Sequence, residues 1–136
     1  MKTNLLRMSA VAALAAAAVF AQNPVSVKVD VPFRFVVGSQ PFAAGEYVVS
    51  QGPTDASVMI SPAQGTRVGV HLANPLYSHS REARPRLVFH RYGHTYFLSE
   101  IWGGSANGRR IPETNRERES ARTWAASEVV ILAANR

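Results

Sequence analysis

Arg86-Leu87-Val88-Phe89-His90-Arg91-Tyr92-Gly93-His94-Thr95-Tyr96-Phe97-Leu98-Ser99-Glu100-Ile101-Trp102 is the stretch that decides the fold class. Two runs rich in aliphatic and aromatic residues flank Gly93-His94, a dipeptide suited to a two-residue type II′ turn with glycine first. Pairing outward from the turn sets Tyr92 against Thr95, Arg91 against Tyr96, His90 against Phe97 and Phe89 against Leu98. The same register continues with Val88 against Ser99 and Leu87 against Glu100. Both faces of this ribbon are partly apolar, so it is expected in the middle of a sheet, one side in the core and the other partly covered.

Upstream, Val25-Ser26-Val27-Lys28-Val29-Asp30-Val31 alternates strictly, the period-two signature of a half-buried strand. Pro32 interrupts it, and Phe33-Arg34-Phe35-Val36-Val37 resumes an extended pattern with Phe33, Phe35 and Val37 on one face. Turns follow at Gly38-Ser39-Gln40-Pro41 and Ala44-Gly45, the second leading into the strand Glu46–Ser50. Ser57–Ser61 and Thr66–Ala73 read as a hairpin, with Val58 and Ile60 facing Val68, Val70 and Leu72. Asn74–Pro85 reads as a long solvated loop.

Downstream, Gly103–Gly108 is a loop of small residues. Thr114-Asn115-Arg116-Glu117 matches a capping box, in which Thr114 accepts from the backbone and Glu117 reaches back. The helix it opens is expected to run to about Ala126 and to face the sheet through Ala121, Trp124 and Ala125, with Trp124 as its anchor. Glu128–Ala133 is a nearly all-apolar strand, expected to be buried on both faces. The whole is a mainly β fold: a small antiparallel β-sandwich or barrel of about eight short strands, with one short helix before the last strand.

The chain has 136 residues, no cysteine and a formal net charge of +6. The missing cysteines exclude a disulfide scaffold, a thiolate zinc site, an iron–sulfur cluster, a cysteine nucleophile and a lipid-carrying cysteine. Residues 1–21 read as a secretory signal: Lys2 and Arg7, then the uncharged run Met8–Phe20, then small residues ahead of a cut before Gln22. That run is shorter than the ~20 residues a membrane-spanning helix needs, so no membrane anchor is expected after cleavage. Residues 22–136 then form a single β-rich domain with a net charge of +4. Export to the periplasm or the exterior is the expected destination. Export without cysteine suits a bacterial source, and Lys28 as the only lysine of that domain is what a GC-rich genome produces.

No phosphate-binding loop, dinucleotide fingerprint, H-E-x-x-H or G-x-S-x-G occurs. No catalytic or cofactor-binding residue can be assigned, no cofactor is implied, and nothing in the sequence selects a carboxylate pair for glycoside hydrolysis. His90 and His94, on either side of the hairpin turn, are the candidate metal ligands, but Glu100 falls on the opposite face from His90 and no third ligand converges. Tyr77, His79, Arg81 and Arg84 of the long loop are candidate contacts for an anionic envelope or matrix polymer. Nucleic acid is not expected, because Glu113, Glu117 and Glu119 alternate with the helix arginines and the chain is expected to be exported.

Val31-Pro32-Phe33-Arg34-Phe35-Val36-Val37-Gly38, Ala44-Gly45-Glu46-Tyr47-Val48-Val49, and Leu87–Gly93 with Tyr96–Trp102 resemble a group of small exported β-rich proteins associated with acidobacteria. The resemblance covers nearly all of 22–136. It implies export and a β-rich fold, and it implies no activity and no functional residue. The group's turn is Gly-Asp where this chain has Gly93-His94, which argues against His94 as a required ligand. The expected role is therefore structural or binding, without catalysis, in the envelope or matrix. The alternative is a small-ligand or metal-binding protein, even an enzyme, using a barrel mouth near His90, His94 and Tyr92.

Overall fold

The computed structural model describes residues 26–66, 68–79 and 84–133. The expected signal, 1–21, lies outside them, as does the candidate contact Arg81. Among the described residues no helix is long and apolar enough to cross a membrane.

Two sheets face each other and do not close into a barrel. The first is antiparallel, in the order β1 (Ser26–Val31), β4 (Gly45–Gln51), β5 (Ser57–Pro62), β6 (Gly69–Leu72). The second runs β11 (Ala126–Leu132), β8 (Arg86–Tyr92), β9 (Thr95–Trp102), β10 (Asn107–Arg110), β7 (Asn74–Tyr77). β2 (Phe35–Val37) lies parallel to the start of β9 and forms a hairpin with β3 (Gln40–Phe42). Helix α1 (Asn115–Thr123) precedes the last strand, as expected. Among the described residues there are eleven strands, where about eight are legible in the sequence. Most of the difference is three- and four-residue strands whose pairing is a matter of backbone hydrogen bonds, with no side-chain alternation to announce it. β7 and β10 pair with each other along segments that read as loop.

The core lies between the sheets. Alternation in β1 places Val27, Val29 and Val31 inside and Ser26, Lys28 and Asp30 outside. Phe35 meets Phe42, Tyr47 and Phe89 at ring-centroid distances of 5.2–5.5 Å, and Phe33 stacks on Tyr96 at 3.9 Å. Such rings supply much of the apolar area that a domain of this size has to bury.

The central hairpin forms with the expected turn. Gly93 has φ 61° and no described non-glycine residue has positive φ, the type II′ pattern. Its register is as read from Tyr92–Thr95 out to Phe89–Leu98. Beyond that a bulge on β9 makes Ser99 the extra residue, so that Val88 opposes Glu100 and Leu87 opposes Ile101. The carbonyl of Ser99 accepts from the Ile111 amide at 2.8 Å, so the bulge leaves no orphan there. The consequence is large: Glu100 moves to the face that carries His90, and Ile101 enters the core.

The β5–β6 hairpin slips by one residue from the expected facing. Val58 opposes His71 and Ile60 opposes Gly69, while Val68, Val70 and Leu72 are 49%, 54% and 72% exposed. A Cβ on Gly69 would lie 2.9 Å from the Phe42 ring and 3.0 Å from Gln40, so only glycine fits at that inward position. β11 is an edge strand with Val130 and Leu132 exposed, because nothing in the described chain covers its outer face. Helix α1 ends at Thr123, and Ala121, Trp124 and Ala125 are all exposed; the helix residue that turns inward is Glu117. Trp124 rests over Gly93 at the hairpin turn instead of entering the core.

Candidate functional site

The outer face of the larger sheet carries two polar constellations, one at each end of the β8–β9 ribbon. At the turn end, Val36, Tyr92 and Phe97 form a small second core under α1. Thr114 caps the helix by accepting from the Glu117 amide at 3.3 Å. The reciprocal half of the capping box is replaced: the Glu117 carboxylate turns toward the sheet and accepts from the Tyr92 hydroxyl at 3.3 Å, with His90 Nδ1 3.5 Å away. Burial pushes the Glu117 carboxyl above its usual range, Glu113 pushes it the same way, and His90 and the Tyr92 hydroxyl partly oppose them. Burial, then the neighbouring Glu117 and Glu113, raise the Tyr92 phenol as well.

His90 Nδ1 faces the Glu117 carboxylate but makes no hydrogen bond among the described residues, and His94 is exposed in the turn. Among the described residues no three His, Cys, Asp or Glu side chains are arranged to hold a metal ion. There is also no barrel mouth at this end, since the sheets stay open.

At the opposite end, Arg86, Trp102, Gly108 and Leu76 line up across β8, β9, β10 and β7. A Cβ on Gly108 would lie 2.6 Å from the Trp102 ring, so the glycine gives the indole a flat bed. The Arg86 guanidinium stacks over that ring at 5.0 Å and donates to the Arg84 carbonyl at 3.3 Å. Trp102 Nε1 donates to Glu100 at 2.9 Å, and Arg110 donates to the other oxygen of Glu100 at 3.1 Å. Comparison of the chain with protein-family models, with curated proteins and with solved structures returns no match.

Three of the expected partner contacts border this end. Tyr77 closes β7 and is 72% exposed, His79 follows it, and Arg84, exposed, precedes β8. None of the ion pairs among the described residues involves Arg84 or Arg86. Sequence reading misses the Arg86–Trp102–Glu100–Arg110 array. Unbroken in-register pairing would hide it, and only the bulge at Ser99 puts Glu100 and Trp102 on the face of Arg86. Glu117 is visible in the sequence as a capping residue but not as a buried acid.

Proposed function

We propose that this chain is an exported, non-catalytic β-domain that holds an anionic polysaccharide of the cell envelope or matrix. The observation that carries the reading is the Arg86–Trp102 stack on the outer face, with the exposed Arg84 just ahead of it in the chain. A guanidinium held flat on an indole keeps its edge N–H groups in fixed directions, the geometry that pairs with carboxylate or sulfate groups. Among the described residues, Glu100 at this end is occupied by Trp102 and Arg110, and neither Arg84 nor Arg86 takes part in an ion pair. Export is supported by the signal-like residues 1–21 and by the resemblance to exported acidobacterial proteins.

The test has two arms. Fractionation of the source cell should recover the processed chain outside the cytoplasm, and recovery of the unprocessed chain in the cytoplasm would refute export. Affinity chromatography on immobilised polygalacturonate should retain the folded domain at low salt. Passage without retardation would refute the polymer reading.

A further inference from the structure

The two sheets part at the end of the sandwich away from the Gly93–His94 turn, leaving a cleft of ≈ 220 Å³. Its floor is Val27, Val49, Val58 and Ile101, all buried, drawn from β1, β4, β5 and β9. Its rim is polar and includes Gln51, Asn107 and Arg109. Arg109 is the unusual member. It opposes Ile101 in register, which puts it on the interlayer side of β10, the side on which β8 and β9 place Leu87, Phe89, Leu98 and Ile101. It is half-buried, and among the described residues it takes part in no ion pair. Its neighbour Arg110, on the opposite face, is engaged with Glu100.

We infer that this cleft is a binding site for a medium-chain carboxylate, with the acyl chain between the sheets and the carboxylate on Arg109. An apolar slot closed at one side by an unpaired guanidinium selects a ligand that is apolar along its length and anionic at one end. A methylene is about the size of a water molecule, whose share of liquid is ~30 Å³, so the cleft takes a chain of roughly seven carbons. The inference is independent of the polysaccharide reading, because Arg109 faces the interlayer side and Arg86 the outer face.

The experiment is a titration of the folded domain with octanoate, octylammonium and acetate at millimolar concentration, followed by methyl resonances of Val27, Val49, Val58 and Ile101. Octanoate should shift these four saturably, while acetate leaves them in place and octylammonium binds about tenfold more weakly or worse. Arg109→Gln should weaken octanoate by about the same factor with the methyl dispersion of a folded protein retained. Octylammonium binding as well as octanoate, or undiminished octanoate binding to Arg109→Gln, would overturn the assignment of the carboxylate. Four unmoved methyls would overturn the site itself, and this arm needs no variant.

Discussion

At Glu117 a carboxylate is held 5% exposed between Tyr92 and His90, on a helix whose other residues all face solvent or its margin. Its folded-state affinity for a proton is raised, chiefly by burial. Between its ordinary value of 4.5 and the raised folded value, the native state binds more protons than the unfolded chain. Stability from this group is therefore greatest at the acid side of that window and is lost as pH rises through it. Glu117→Gln keeps an acceptor for Tyr92 and removes the charge. The variant should gain about 1 kcal/mol over wild type near neutrality, and the gain should shrink as pH falls toward the ordinary carboxylate range. Urea midpoints of the two proteins across that range check it; a difference independent of pH would contradict the assignment. At Gly93, φ is 61° and the Trp124 ring lies 3.0 Å from where a Cβ would stand, so both backbone and space select glycine. Gly93→Ala should cost more than about 1 kcal/mol, read as a lowered urea midpoint at unchanged slope.

Strand β6 shows what the elements add. In sequence Val68, Val70 and Leu72 look like the core face of this segment, yet Val70 and Leu72 point outward and Gly69 and His71 inward. Val70→Thr and Leu72→Thr should each change stability by less than about 0.5 kcal/mol, whereas Ile60→Ala on the neighbouring strand should cost about 2–5 kcal/mol. Thermal unfolding of the three variants distinguishes this register from one in which β6 packs Val70 and Leu72 inward. The elements legible from sequence are those whose side chains alternate or whose turn chemistry is local: β1, the Phe33–Val37 segment, the β8–β9 turn and the Thr114 cap. Register beyond a bulge is not legible, because Ser99 carries no mark that separates a bulged serine from a paired one. The β6 register depends on Phe42 pressing against Gly69, a contact between residues distant in the chain. β11 misleads for a related reason: an apolar run states how much surface could be buried, and its place at the sheet edge decides how much is.

Across the whole molecule, the open sandwich separates two chemistries by the length of the β8–β9 ribbon. The turn end, where the candidate ligands His90 and His94 lie, is used for docking α1 through Glu117. The other end collects Tyr77, Arg84, the Arg86–Trp102 stack and the interlayer cleft with Arg109. Of the candidate site, Tyr77, His79 and Arg84 are legible as charged or aromatic loop residues, while the Arg86–Trp102 stack needs the bulge at Ser99 and its glycine bed needs β10 beside β9. Helix arginines Arg116 and Arg122 are also exposed, and they sit among Glu113, Glu117 and Glu119. A polymer that reads only overall positive charge would use both regions alike; one that reads the stacked guanidinium would not. The direct measurement is retention on immobilised polygalacturonate against salt, for wild type, for Arg84→Ala with Arg86→Ala, and for Arg116→Ala with Arg122→Ala, each confirmed folded by its urea midpoint. Retention should fall with salt, the first pair of substitutions should abolish most of it, and the helix pair should leave it near wild type. Equal losses from both pairs, or retention indifferent to salt, would contradict a polysaccharide site at the Arg86–Trp102 end.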